Sequence, residues 1–436
     1  HSLLVFHPDI FQCLPHENSI NQAVHFNLAN GGLLIDTAHA SNNERILAEA
    51  VQSFDTNEMV VRSNTRGGRP TTEELEPVHV VTKVWYTYLG YERTKISVQE
   101  SLKALGYAQD KRQIYVHMLL HWPRCNDNIS WMNCEEEEEN LPQEVKDAGP
   151  PPHLNKDTAF LNSWKALEDI WLENQQAVKS HKSPGIHPPL VVSIGVSNFE
   201  LEDMRALMET GPRVPPMIYQ GNVWLVFHDP LLMDYLREQN IFFQAYAVMN
   251  GILQRKDDSP RAYGVLSRLA SEIMAMVHSS PQSQDGGPPV EVTEASVLLA
   301  YFIHRNIGVI PRSASPDHQR RNAPPALAAV LPHLAPSHIE RLDIAIPALM
   351  RGEDPHTAIH FKNTLSVPIQ IHWLNPNTNE EVLVSEIVQP GSVEIQRSQP
   401  GHRFVAYDPE RSIRREFLVD VDYGGKQHFS VEADEL

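Results

Sequence analysis

The sequence predicts an α/β fold, a (β/α)8 TIM barrel followed by a small all-β sandwich, and three observations carry that expectation. Short β-branched or apolar runs alternate with longer amphipathic segments from the N-terminus to about residue 322. No Gly-rich fingerprint follows an early strand, which argues against an open doubly wound sheet. Beyond residue 356 helical spacing gives way to the period-two alternation of strands. A length of 436 residues suits two or three domains, and 41% apolar composition lets each bury a core.

In chain order, the expected barrel strands are 3–6, 33–36, 78–84, 114–120, 191–195, 216–220, 241–245 and 307–311. Helical stretches with apolar residues at i, i+3 and i+4 fall between them, at 44–54, 97–105, 163–174, 229–238, 265–276 and 294–304. Helical spacing continues through 339–349. Four long polar connections interrupt the pattern, at 62–76, 124–157, 180–189 and 279–289. The second follows the fourth strand and so belongs to the face where barrels keep their chemistry. Its run Glu135 to Glu139 is expected to be a solvated, mobile loop, with a metal or basic-ligand site as the alternative. The barrel is thus assigned to residues 1–350, a linker to 351–356 and the sandwich to 357–432. The sandwich strands are expected at 358–362, 368–374, 381–385, 392–397, 403–407, 416–421 and 427–431.

Composition narrows the partners. A net charge of −19 repels a phosphate backbone and anionic headgroups, so nucleic acid and anionic membrane surfaces are not expected. No apolar run reaches the roughly 18 residues of a membrane span. Three cysteines exclude a disulfide scaffold, and whether Cys125 and Cys134 pair is left open. The tail Ala433-Asp434-Glu435-Leu436 resembles an ER-retention signal, and Asn128-Ile129-Ser130 is a glycosylation sequon. The first residue, His1, suits a cleaved signal peptide or a trimming scar. These point to the ER lumen or secretory pathway, with the cytoplasm as the alternative.

Chemistry-bearing residues stand at the C-terminal ends of successive barrel strands: Asp36, Lys83, His121 and the pair Ser197-Asn198. A lone residue of any of these types is usually structural. Ionisable groups at the same end of successive strands converge on one pocket, which favours a site.

Those motifs resemble the aldo-keto reductase superfamily over about residues 1–350. The resemblance rests on Asp36-Thr37-Ala38, Thr82-Lys83-Val84, Leu120-His121-Trp122, Gly195-Val196-Ser197-Asn198-Phe199, Tyr219-Gln220, Gln244-Ala245-Tyr246 and Ile310-Pro311-Arg312-Ser313 through Asn322. It implies NADP(H)-dependent oxidation or reduction of a small carbonyl or alcohol substrate, without a metal. Ser197, Asn198 and Gln220 would hold the nicotinamide carboxamide, and Tyr246 would stack on the ring. Arg312 and Ser313 would meet the 2′-phosphate, His318 stands where a second arginine is common, and Asn322 would lie near the adenine. The family's tetrad is Asp, Tyr, Lys and His. Asp36, Lys83 and His121 match three members, whereas spacing from Asp36 through Asn43-Glu44 puts Ser41 at the tyrosine position. An aliphatic hydroxyl is a far weaker acid than a phenol, so proton donation would fall to His121, to a water held by Ser41 and Lys83, or to Tyr86 or Tyr88. The alternative is a redox-neutral or catalytically reduced cofactor-binding barrel that acts as a scaffold through its β domain.

The β domain has its own resemblance. Trp373-Leu374-Asn375, Pro390-Gly391 and Ser398-Gln399-Pro400-Gly401-His402 followed by Phe404 are similar to the hydroxyproline-reading β domain of the von Hippel-Lindau family. The resemblance implies a protein or peptide partner at Ser398, His402 and Phe404, the last in place of a tryptophan, with a structural or generic interaction module as the alternative. Leu383 falls where that site has a tyrosine.

Overall fold

A computed structural model describes residues 17–55, 75–107, 111–126, 129–180, 187–279, 290–313, 315–354, 356–410, 412–420 and 426–432. The expected strand at 3–6, Asn128 of the sequon and the tail 433–436 lie outside the described residues.

Among the described residues, seven strands form one parallel sheet in chain order: β1 (Leu34–Asp36), β2 (Val78–Val84), β3 (Ile114–Leu120), β4 (Leu190–Ser197), β5 (Ile218–Asn222), β6 (Phe242–Tyr246) and β7 (Gly308–Val309). Helices fill the connections, including Glu44–Ser53, Tyr91–Leu105, Ala159–Ser180, Leu201–Glu209 and Pro230–Glu238. Sequential parallel order with helical crossovers is what alternating strand and helix patterns produce. On one strand face the side chains stack in layers. Val81, Leu119 and Ile218 form an apolar cluster, and two residues further along the same strands stand Lys83, His121 and Gln220. Gly195 belongs to the apolar layer. A Cβ there would lie 2.2 Å from the carbonyl oxygen of Ile218, so only glycine lets β4 approach β5 this closely. Two residues in the other direction lie His79, His117 and Ser193. His117 hydrogen-bonds Ser193 Oγ at 2.6 Å and His79 at 3.0 Å.

The remaining strands are β8 (Thr357–Asn363), β9 (Ile369–Leu374), β10 (Glu381–Val388), β11 (Val393–Ser398), β12 (Arg403–Tyr407), β13 (Arg414–Leu418) and β14 (Lys426–Val431). They make a four-stranded sheet, β10-β9-β12-β13, and a three-stranded sheet, β11-β8-β14. One apolar cluster draws on both, with Ile359, Phe361 and Val431 from one sheet and Ile371, Phe404 and Ala406 from the other. Alternate residues of each strand supply it, which is why the period-two pattern is legible in the sequence.

By contact density the chain forms two compact units, His1–Val248 with Gly286–Leu331, and Met249–Asp285 with Pro332–Leu436. The first contains the seven-stranded sheet. In the second, the helices Pro260–Ser279 and Pro336–Arg351 are tied together by Arg341 to Glu272 at 2.8 Å, and the β-rich region belongs to the same unit. The expected linker at 351–356 begins inside the second of these helices. Asp354 Oδ1 accepts hydrogen bonds from the amides of Arg261 at 2.8 Å and Ala262 at 3.3 Å, closing the start of the first.

Candidate active site

Buried ionisable groups define the floor of the site. Lys83 Nζ donates to Asp36 Oδ2 and to the carbonyl oxygen of Thr37, both at 2.7 Å, with both side chains almost wholly buried. Gln220 Nε2 donates to the other carboxylate oxygen of Asp36 at 2.7 Å. Asp36 is thus a hub joining β2 to β5. Removing either partner of such a pair leaves an uncompensated buried charge, so both belong to the fold as well as to the site.

Above this floor lies a cavity of about 810 Å3, lined by Ala38, Ala40, Ser41, Trp85, His121, Trp122, Trp131, Glu137, Ser197, Asn198, Gln220 and Tyr246. That volume suits a small-molecule site. Asn198 sits in the left-handed region at φ 60° and makes a hydrogen bond in each direction. Its Nδ2 donates to the His121 carbonyl oxygen at 3.0 Å and to Ser197 Oγ at 3.1 Å, while its Oδ1 accepts from Tyr246 OH at 2.7 Å. Burial pushes the Tyr246 phenol up to about 12, an effect that a hydrogen bond with Asn222 lessens. Ser41 ends the short turn His39–Ser41. That turn is positioned by Thr37 Oγ1 donating to Asn43 Oδ1 and Thr82 Oγ1 donating to Glu44 Oε1, both at 2.6 Å.

The structure therefore brings Ser41, His121, Ser197, Asn198, Gln220 and Tyr246 to one cavity, with Asp36 and Lys83 beneath it. Arg312, Ser313, His318 and Asn322 do not line it. They follow β7, around the helix Pro316–Asn322, where Gln319 Nε2 donates to the Ser313 carbonyl oxygen at 2.8 Å and Ser313 Oγ accepts from the Ser315 amide at 3.1 Å. Arg312 and His318 are exposed, whereas Ser313 and Asn322 are buried.

Two expectations about the acidic loop and its neighbours need correction. The run Glu135 to Glu139 is not a free solvated loop: it forms the helix Cys134–Glu139, and Cys134 is disulfide-bonded to Cys125 with Cα atoms 6.1 Å apart. Glu138 makes a forked pair with the buried Arg93 at 2.8 and 2.9 Å, and Glu137 accepts from Trp85 Nε1 at 2.7 Å and from Tyr86 OH. Two of the five carboxylates thus hold the loop down, which a charge pattern cannot reveal because both partners are distant in sequence. Tyr86 is consequently a poor proton donor. Burial, then the hydrogen bond to Glu137 and its charge, raise its phenol above the ordinary range. Tyr88 is likewise raised to about 12, by burial and then by the charge of Glu100, and it does not line the cavity. Trp131 and Glu137 carry no local signal that marks them as site residues. Only their placement by the disulfide and the Arg93 clamp makes them cavity residues.

In the β-rich region, Ser398 Oγ and His402 Nδ1 are hydrogen-bonded at 3.0 Å, and the Trp373 ring lies 5.3 Å from that of His402. Burial and then the charge of Arg261 lower the His402 pKa. Phe404 is not a surface contact: it is buried in the apolar cluster with its ring 5.3 Å from Phe361, because its strand position faces the core. The indole beside the Ser398–His402 pair is Trp373. Leu383 is exposed opposite His372.

This chain belongs to the aldo/keto reductase family, whose model matches residues 15–344. It is similar to the 9,11-endoperoxide prostaglandin H2 reductase of Trypanosoma cruzi, 23% identical over 302 residues that cover 69% of this chain and 74% of that protein. The glycerol 2-dehydrogenase (NADP(+)) of Saccharomyces cerevisiae is 22% identical over 307 residues, covering 70% and 78%. Among solved structures, the aldose reductase of Giardia lamblia superposes with a TM-score of 0.51 at 18% identity, covering 80% of this chain and 92% of that one, a likeness of fold.

Proposed function

We propose that the chain is an NADPH-dependent oxidoreductase that interconverts a small carbonyl compound and its alcohol, working without the family's catalytic tyrosine. The observation that carries this reading is the hydrogen-bonded floor Lys83–Asp36–Gln220 beneath a cavity lined by His121, Ser197, Asn198 and Tyr246. Family membership and a relative named for NADP(+) support the cofactor. The residues fit a nicotinamide. Ser197 and Gln220 line the cavity with hydroxyl and amide groups, and Tyr246 offers an aromatic surface, its hydroxyl anchored by Asn198. Arg312 and Ser313, with His318 and Asn322, are the proposed holders of the cofactor's phosphate and adenine end. When bound, the cofactor supplies hydride to the carbonyl carbon. The chain's own part is to orient the carbonyl and deliver a proton to its oxygen. Tyr86 and Tyr88 are excluded from delivery by their raised pKa values and places outside the cavity. His121 and a water at Ser41 are the remaining donors, and we assign the proton to His121, whose imidazole lines the cavity.

An NADPH fluorescence titration and aldehyde-dependent NADPH oxidation test the reading. We expect saturable cofactor binding, slow turnover in the parent and a rise of about a hundredfold or more in Ser41→Tyr, the size of a general-acid contribution. Failure to bind NADPH at tens of micromolar would overturn it, and NADPH binding with no turnover in the parent would favour the cofactor-binding scaffold alternative.

For the C-terminal region, we read the two sheets as a sandwich of von Hippel-Lindau type that engages a protein or peptide, and the fold before it as a (β/α)8 barrel. The Ser398–His402 hydrogen bond beside Trp373 supports the partner reading. A pull-down comparing hydroxylated with plain proline peptides tests it, and equal capture of both removes hydroxyproline. The Cys125–Cys134 disulfide supports the ER lumen or secretory route, since such bonds persist in oxidising compartments.

A further inference from the structure

Glu137 and Glu138 are neighbours on one short helix, yet their charges are answered differently. Glu138 is paired with the Arg93 guanidinium. Glu137, which lines the cavity, accepts hydrogen bonds from an indole and a phenol, both neutral, and forms no ion pair with any described residue. Among the described residues it is the only carboxylate of that lining. Around it stand three tryptophans. The Trp85 and Trp131 rings are roughly parallel with centroids 6.1 Å apart, and Trp122 meets Trp131 edge-on at 5.9 Å. Trp131 is 57% exposed, so a large aromatic face is kept at the cavity wall at the cost of wetting it. Aromatic faces beside a carboxylate that lacks a cation are the recognition chemistry of an organic ammonium: the ring quadrupoles and the carboxylate attract the same charge. A neutral polyol would stack on the rings but leave the charge of Glu137 unanswered.

We infer that the carbonyl substrate carries an organic ammonium group, seated between Glu137 and the rings of Trp85, Trp122 and Trp131. This rests on the oxidoreductase reading for the carbonyl but not for the cation. The helix Cys134–Glu139 is then a specificity element. Its disulfide and the Arg93–Glu138 pair hold Glu137 at the cavity, and Glu137 selects charge while Lys83, Asp36 and His121 serve the reaction.

Choline and its neutral isostere 3,3-dimethylbutan-1-ol distinguish charge from shape. Both would be titrated against the intrinsic tryptophan fluorescence of the full chain at matched ionic strength, with an NADPH titration in parallel. We expect choline to saturate below about 10 mM and to bind at least about tenfold tighter than the isostere. Glu137→Gln should reduce that preference to less than about threefold. Trp131→Ala, which removes an exposed ring and leaves the Trp85 and Tyr86 hydrogen bonds in place, should weaken choline binding even if Glu137→Gln fails to fold. Equal affinity for the two probes, binding of neither, or choline binding unchanged in Trp131→Ala overturns the inference. NADPH binding without choline preference removes the cation and keeps the oxidoreductase, and choline preference without NADPH binding does the reverse.

Discussion

Asp36 shows how one residue can belong to fold and function together. Its carboxylate, proposed to serve the chemistry, accepts from Lys83 and Gln220 and so joins two strands. His117 makes the converse case, an ionisable group that the fold keeps neutral. Burial, then the charge of His79, lowers its pKa to about 3, while His79 itself is lowered by burial. The unfolded chain takes up a proton near the ordinary imidazole pKa and the folded chain does not, so stability is complete above that value and falls as pH drops towards 3. The expected slope is roughly 1.4 kcal/mol per pH unit for this group. Urea unfolding midpoints collected from neutral to acid pH should show that fall, and His117→Gln, which cannot titrate, should flatten it. An unchanged slope in the variant would assign acid sensitivity elsewhere. The sequence marks His79 and His117 only as polar residues within strands. That they meet needs β2 and β3 to pair in register, which spacing along the chain does not state.

At the scale of elements, the segment 124–157 separates what charge patterns can and cannot tell. A glutamate run reads as a solvated face because nothing nearby in sequence answers it. Its partners, Arg93 and the indole and phenol of Trp85 and Tyr86, come from before β3. Arg93 also donates to the carbonyl oxygens of Gly149 at 2.8 Å and Thr87 at 3.1 Å, so one buried guanidinium ties Glu138 and Gly149 of the segment to the turn that follows β2. Arg93→Met should cost about 3–5 kcal/mol, since it leaves Glu138 and two carbonyls without their donor. The disulfide closes a short loop, and Cys134→Ser should cost about 2–3 kcal/mol by chain entropy. Chemical denaturation checks both. Limited proteolysis adds a readout, because each variant should open new cleavage within the segment before the sheet unfolds, and cleavage identical to the parent would mean that neither restrains it.

For the whole molecule, every residue proposed to touch NADPH, from Ser197 to Tyr246 and from Arg312 to Asn322, falls in the unit His1–Val248 with Gly286–Leu331. Ligand linkage then stabilises that unit, by about 2.7 kcal/mol at a free concentration near a hundred times Kd. In calorimetry NADPH should raise the transition assigned to the seven-stranded sheet and leave that of the β-rich unit in place. A shift of the β-rich transition alone would move the cofactor to the wrong unit and sink the assignment. The same partition qualifies the domain plan that the sequence suggests. Motif spacing marks where strand pattern replaces helix pattern, whereas compactness follows contacts, and the helix Pro260–Ser279 counts with the β-rich unit because Arg341 and Asp354 bind it from later in the chain.

The order of residues alone determines much of this protein. Strands β2, β3 and β12 and the helix Glu294–His304 fall at their expected bounds, because hydrophobic period and turn residues are local properties that survive folding. Asp36, Lys83, His121, Ser197, Asn198, Gln220 and Tyr246 can be named from sequence because strand ends carry them in recognisable local order. What only the tertiary structure decided are the relations that need three dimensions. Phe404 turns into the core and Trp373 stands beside His402, the phenol of Tyr86 is spent on Glu137, and the acidic helix is stapled so that one carboxylate reaches a tryptophan-lined cavity. Each depends on which distant side chain is nearest, and a single chain's order of residues leaves that distance open until the strands have paired.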